Sequence, residues 1–471
     1  MARVIVIGAG LGGLSTAALL AMDGHDVTVL ERDPQPPLEE AERCWTGWER
    51  RGVNQFRLPH YLLPRWRQLL EHELPDVATA LVDRGALRFE QIRSMPTELT
   101  GGVRPDDDQF TALTARRPVL EAGFASTAER IFGVHLRRGV GVAGLLTGDP
   151  SLPGVPHVTG VRTEDGEELH ADLVVDSGGR RSALPQWLTA VGARTPHEEL
   201  EDSGFVYFGR HFRGSDRPFP EVRALLLQAY DSISLLTLPS DRGTWCVAFV
   251  ASAADRELRG LRHPDRWHEA LRLYPLAAHW GAGEPISDVQ VMAGIPDRYR
   301  RFVVDGTPVA TGIAAVADAW ACTNPSLGRG ATMALLHTCA LRDLLREVPV
   351  TDPVALACRW DELTEATVTP IYRATLAFDR HRLGELEAAR LGQEYETDDP
   401  TWAITRAFAA AAYADPSVLR QFLRVMSLTA TPLEVMGEPG LIEQIMALAG
   451  SGDGQGLPGA DRATLLAAVN G

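Results

Sequence analysis

Six residues near the start of the chain, Gly8-Ala9-Gly10-Leu11-Gly12-Gly13, have the G-x-G-x-x-G spacing that lets a backbone wrap a pyrophosphate. Gly8 permits a tight turn, Gly10 lets the backbone approach the phosphates, and Gly13 lets a helix lie close to the preceding strand. A helix opening at Leu11 turns its N–H groups and positive potential on the same spot. Eighteen residues after Gly13 the next apolar run ends in Glu31, a carboxylate suited to the hydroxyls of an adenosine ribose. An acid there disfavours a 2′-phosphate, so the nucleotide is FAD or NAD rather than NADP. Arg32 beside it either stacks on adenine or is solvated.

Two later stretches repeat the theme of an apolar run ending in an acid. Ala171-Asp172-Leu173-Val174-Val175-Asp176 runs into Ser177-Gly178-Gly179-Arg180-Arg181-Ser182, read equally well as a ligand-facing turn or an ordinary junction. The run Thr307–Val316 delivers Asp318, followed by Asn324-Pro325-Ser326-Leu327 and by Gly328-Arg329-Gly330 at the start of a long helix. Asp318 can hold sugar-like hydroxyls, and the helix N-terminus can stabilise negative charge such as that on a reduced flavin. His60 is either a pocket acid or a loop anchor, the latter favoured. Trp320 and Cys322 read as packing.

These groups need elements to hold them. Residues 3–7 read as a buried parallel strand, Leu11–Asp23 as a helix and Asp26–Leu30 as a second strand, which completes a βαβ unit. Residues 35–60 read as loop, and a helical pattern resumes over Tyr61–Leu70. Val158–Arg162 and Glu167–His170 flank a hairpin turn at Glu164-Asp165-Gly166. Phe205–Phe212, Ser232–Leu238 and Trp245–Val250 are strand-like, the last two joined by Ser240–Gly243, so an antiparallel sheet is inserted between parts of the first domain. Its aromatics Phe205, Tyr207, Phe208 and Phe212 wall an apolar pocket or fill a core. Thr307–Val316 reads as one buried strand and Arg329–Glu347 as a helix. Beyond Asp352 the pattern is helical: Ala355–Leu391 kinked at Pro370, then Trp402–Tyr413 and Asp415–Leu428, with Ser451–Gly459 a connector before a last short helix.

Composition removes several alternatives. The 471 residues suit a large α/β enzyme or a few fused domains, and 45% hydrophobic residues supply a core. A formal charge of −16 argues against nucleic acid as a partner. All 46 basic residues are Arg, which excludes a lysine Schiff base, a P-loop lysine and a lysine general acid. Five cysteines without C-x-x-C spacing give no disulfide framework or metal site and fit a reducing, cytoplasmic setting. No apolar run is long enough to span a membrane, and the start does not read as a signal peptide.

The motifs together resemble the FAD-dependent monooxygenases of the single-component aromatic-hydroxylase fold, within them the branch of squalene-type and polyketide epoxidases. Gly8, Gly10, Gly13 and Glu31 match the family's dinucleotide motif; Ala317-Asp318, Pro325 and Gly328-Arg329-Gly330 match its second FAD motif, with Ala317 where Gly is usual. Arg117-Pro118-Val119-Leu120 matches an Arg-x-x-Leu helix start, which by that match places Arg117 near FAD. Arg51-Gly52-Val53-Asn54-Gln55 with His60 matches a Gly-Val-Pro-Gln segment, Asn54 replacing Pro. The middle motif is closer to the Asp-Ala-Thr-Gly-Arg form of the epoxidase branch than to Asp-Gly. The resemblance implies an α/β fold: a discontinuous Rossmann-like FAD-binding domain (1–190, resumed at 301–350), an inserted antiparallel β-sheet substrate domain (191–300) and a helical C-terminal region (351–471). It implies FAD bound by Gly8, Gly10, Leu11, Gly13, Glu31, Arg32, Arg117, Asp318, Gly328, Arg329 and Gly330, with electrons from NAD(P)H or a partner flavin reductase.

The expected activity is insertion of one oxygen atom, by epoxidation or hydroxylation, into a bulky apolar metabolite of polyketide type. The oxygen chemistry belongs to the cofactor, so no side chain is named as catalytic. A flavin-dependent halogenase is excluded, since that family relies on a lysine and Trp45 and Trp48 form W-x-x-W rather than W-x-W-x-I-P. A non-redox FAD-holding cyclase of a polyketide intermediate remains the alternative, and a non-catalytic FAD-binding protein a further one.

Overall fold

The computed structural model describes residues 1–53, 55–215, 218–450 and 456–471. Asn54 of the Arg51–Gln55 segment and residues 451–455 of the expected connector lie outside the described residues.

The chain begins with strand β1 (Arg3–Ile7), helix α1 (Leu11–Met22) and strand β2 (Asp26–Glu31), as the local pattern requires. Helix α2 (Arg117–Ala128) leads to β3 (Val134–Arg138), and β4 spans Leu173–Asp176. A second sheet is built on β5 (Phe205–Arg213), β6 (Ser234–Pro239) and β7 (Thr244–Ser252). The chain then returns to the first sheet through β8 (Ile313–Ala315) and α3 (Gly330–Glu347). Helices α4 (Pro353–Thr367), α5 (Thr369–Leu391), α6 (Pro400–Ala414) and α7 (Pro416–Met426) follow, and after them the shorter helices Pro432–Met436, Leu441–Gly450 and Arg462–Asn470.

The first sheet is parallel, in the order β8-β4-β1-β2-β3. Its strands are apolar almost throughout because both faces are covered. Leu14, Ala17 and Ala18 of α1 and Leu335 and Leu341 of α3 pack with Val4, Val6 and Val175 on one face. Ile5, Ile7 and Val174 share the other with Tyr299, Trp320 and Tyr372. All five strands end at the same edge, where α/β sheets of this kind take their ligands.

The inserted sheet is antiparallel, with β6, β7 and β5 side by side. Every residue of β7 is buried, since helix Pro264–Arg272 brings Trp267 and Leu271 into its core and the C-terminal helices bring Leu386, Ala412 and Leu419.

Three expectations are corrected. Thr307–Val316 is not one strand: Thr307-Pro308 pairs with Val303-Val304, and Gly312, at φ +73°, turns the chain so that only Ile313–Ala315 joins the parallel sheet. Ala355–Leu391 is two helices with a break at Val368; Pro370 sits in the first turn of α5, where its missing N–H costs nothing. Residues 35–60 include a short helix, Ala41–Gly47, and the helix expected from Tyr61 begins at Pro64, leaving His60 and Tyr61 outside any helix or strand. Among the described residues no helix is long and apolar enough to cross a membrane.

Candidate functional site

At the carboxyl edge of the parallel sheet lies a cavity of about 2290 Å³, which continues between β5–β6 and the C-terminal helices. Ten of the eleven residues expected to bind a cofactor line it: Gly8, Gly10, Leu11, Glu31, Arg32, Arg117, Asp318, Gly328, Arg329 and Gly330. Gly13 does not, and its role is internal. A Cβ on Gly13 would stand 1.9 Å from the Gly8 carbonyl oxygen, so the turn closes only around a glycine. Gly8 itself sits at φ +95°. By contrast, the Cβ direction of Gly10 is free of protein atoms within 4 Å, on the wall where a pyrophosphate would approach.

The end of the cavity at the glycine turn is organised by a residue the sequence reading passed over. Arg50 is buried and reaches three carboxylates: Glu31 at 2.6 Å, Asp33 at 3.0 Å and Glu121 at 2.5 Å. Glu121 lies in α2 and also accepts from Arg117 Nε at 2.6 Å. A continuous chain of charge-assisted bonds therefore joins Glu31 at the tip of β2 to Arg117 at the start of α2. Glu31 accepts two backbone N–H groups besides, from Ala9 and Asp33, both at 2.9 Å. Three acceptor positions of its carboxylate are thus used, leaving capacity for a ribose hydroxyl. Arg32 is exposed, with its guanidinium against Gly52.

The second half of the site follows β8. Ala317 adopts the left-handed conformation, φ +54°, the reason a glycine is usual there. Its N–H donates to His337 Nδ1 at 3.2 Å, and His337 Nε2 meets Thr364 Oγ1 at 3.0 Å. Burial pushes the imidazole down to about 3, so His337 is neutral, its Nδ1 free to accept; it stacks on Trp360. Left-handed alanine costs about 1 kcal/mol relative to glycine. Ala317→Gly is expected to raise stability by about that amount, read as a higher thermal midpoint, and Ala317→Val to lower it. A glycine variant melting below the parent would show that the methyl packing on Gly12 outweighs the backbone strain.

The loop after Asp318 is fastened to the inserted sheet. Tyr207 of β5 donates its hydroxyl to Asn324 Oδ1 at 2.6 Å and receives that of Ser326 at 2.5 Å, while Asn324 Nδ2 donates to Ser326 Oγ at 2.8 Å. This closed ring pins Asn324–Ser326 to the cavity wall. Tyr207 is the aromatic of β5 that faces the cavity; Phe205, Phe208 and Phe212 are core.

The middle motif lines the cavity too, from Asp176 to Ala183. Asp176 accepts the Gly178 N–H at 2.9 Å and the Ser182 hydroxyl, which shapes the turn from within, and burial raises its carboxyl. His60 lines the cavity but anchors its own loop through Nδ1 to Leu58 O at 3.0 Å. Burial, with Arg117 nearby, pushes it down to about 4, so the ring is uncharged at neutral pH. Cys322 is buried, its thiol pushed up to about 12, and Trp320 packs on His337 and Tyr299; both also border the cavity.

Residues 3–99 match the family model described as FAD dependent oxidoreductase. The Mycobacterium tuberculosis protein Rv3254 is 28% identical over 90% of this chain and 89% of its own. PqsL from Pseudomonas aeruginosa, described as "a probable FAD-dependent monooxygenase", superposes at a TM-score of 0.59 with 18% identity, over 82% of this chain and 96% of that one. The Diels-Alderase PyrE3 of pyrroindomycin biosynthesis superposes at 0.58, with 18% identity, over 90% and 80% of the two chains. The fold is that of the FAD-dependent monooxygenases.

Proposed function

We propose that this chain, whose first residues match the FAD-dependent oxidoreductases and whose fold is that of the FAD-dependent monooxygenases, inserts one oxygen atom into a bulky apolar metabolite of polyketide type. The observation that carries the reading is the cavity. Its volume of about 2290 Å³ exceeds the ~300–1,000 Å³ of ordinary small-molecule sites and leaves room for a large substrate beside a dinucleotide. The donor set fits FAD: a glycine turn open at Gly10, a ribose-facing carboxylate at Glu31, Asp318 for further hydroxyls, and the N-terminus of α3 behind Gly328–Gly330.

Bound FAD would supply the activation of dioxygen. The chain's own share is binding, orientation and dryness. Arg50 and Glu121 hold Glu31 and Arg117 in place, the Tyr207 ring holds the 324–326 loop, and Leu226, Leu236, Leu238, Phe378, Phe408 and Tyr413 offer the substrate an apolar wall. Excluding water there protects a reactive oxygen donor from wasteful breakdown. The source of electrons is NAD(P)H or a separate flavin reductase.

Purified protein supplied with FAD, NAD(P)H and candidate polyketides should consume reductant and oxygen and give a product heavier by one oxygen atom. Asp318→Ala should purify without bound flavin, as its absorbance spectrum would record. A yellow, fully loaded variant would overturn the reading of the second motif. The likeness to a Diels-Alderase supports the cyclase as second reading; turnover without mass gain, persisting without oxygen or reductant, would establish it instead.

A further inference from the structure

Residues 59–61 cross the cavity where its two ends meet. Pro59 lies against β5, its Cγ 3.0 Å from where a Cβ on Gly209 would stand. The Tyr61 carbonyl oxygen is 3.3 Å from the same position on Gly328, in the turn before α3. His60, held between the two, borders the cavity between the inserted sheet and the second motif.

The bond that anchors His60 also decides what its ring presents. Nδ1 stands 3.0 Å from the Leu58 carbonyl oxygen, and a carbonyl only accepts, so Nδ1 carries the hydrogen. In the uncharged ring Nε2 then keeps a bare lone pair. Burial, and after it the charge of Arg117, oppose the proton that would convert this acceptor into a donor, and they outweigh Glu121. Leu58 is buried, so the anchor lies inside the protein and fixes the orientation of the ring. Nε2 itself has no partner among the described residues. His60 is therefore a fixed acceptor on the wall of a cavity, beside Leu62 and Leu63, which have no hydrogen to offer it. A ketone or ether oxygen on an occupant cannot satisfy that lone pair, because it too only accepts. A hydroxyl does.

We propose that His60 reads a hydroxyl on the substrate: its Nε2 accepts a hydrogen bond from that hydroxyl and so sets where the metabolite stops relative to the cofactor end. His60 is thus a specificity-determining residue. The inference rests on the proposed function and narrows the substrate to metabolites with a free hydroxyl. Ethers and hydrocarbons of the same shape leave the lone pair enclosed and unpaired, which costs them affinity.

The test compares 2-naphthol with its methyl ether, 2-methoxynaphthalene, titrated into the FAD-loaded protein by calorimetry. The parent should bind the naphthol about tenfold more tightly than the ether. In His60→Phe the naphthol should weaken to the level of the ether, while the ether keeps its Kd within about twofold, since it never used Nε2. His60→Gln, which returns a side-chain acceptor, should keep part of the preference. A parent that binds both alike, or neither, overturns the inference. So does a preference that survives in His60→Phe, and so does a loss of both ligands together, which would mean that the ring only props its loop. Should His60→Phe fail to fold, the parent and His60→Gln still decide. A parent that prefers the naphthol yet inserts no oxygen refutes the proposed activity and leaves this inference standing; oxygen insertion without the preference does the reverse.

Discussion

Replacing Arg50 with alanine is expected to destabilise the protein by about 3–5 kcal/mol and to empty its nucleotide site. The side chain contributes little surface of its own, being 3% exposed. Its loss would leave Glu31, Asp33 and Glu121 facing one another, with Glu121 wholly buried and held by Arg117 alone. An unpaired buried charge costs more than the pair was worth, which makes this a larger effect than the removal of any exposed ion pair. Urea unfolding and retained flavin would be measured together. Arg50→Ala combined with Glu121→Gln should recover part of the loss, because one of the stranded carboxylates is then gone. Equal midpoints for Arg50→Ala and the parent would show that the cluster carries no such load.

The second large effect separates folding from binding within one motif. Gly13→Ala should cost about 3 kcal/mol, because the new Cβ meets the Gly8 carbonyl, a backbone atom that cannot step aside without opening the β1–α1 turn. Gly10→Ala should leave the unliganded protein as stable as before, since its Cβ enters open space, yet should sharply weaken FAD retention for the same reason. Thermal midpoints of the flavin-free proteins report the first, and flavin content after gel filtration the second. If Gly10→Ala holds FAD as the parent does, the pyrophosphate does not approach there.

What could be read from the sequence follows the range of the interactions involved. β1, α1 and β2 are set by neighbours within a few residues, and so is the helix behind Gly328; their glycines and acids carry the chemistry in their spacing. The network that makes those residues a site is not local. Arg50 and Glu121 are 71 positions apart, and Ala317 and His337 are 20 apart, so no periodicity joins them. A buried arginine among 46 arginines gives no compositional signal. The error over Thr307–Val316 has the opposite origin: its apolar run looks continuous, and only the turn at Gly312 and pairing with Val303-Val304 divide it between two sheets. The aromatics of β5 could not be sorted in advance because Phe205 and Tyr207 share one face of the strand, and only Tyr207 reaches the cavity. Tyr207 was decided by Asn324 and Ser326, more than a hundred residues away.

The cavity spans two kinds of wall. One end is drawn from the glycine turn, β2 and the start of α3; the other is contributed by β6 and by α5 to α7, helices that supply none of the three motifs. Such a division of labour makes the molecule modular. Exchanges among Phe378, Phe408, Ala409 and Tyr413 can reshape what fits without touching the glycines and acids at the other end. For a lineage of such proteins that is a short mutational path to new substrates, and for the protein engineer it marks where a library belongs.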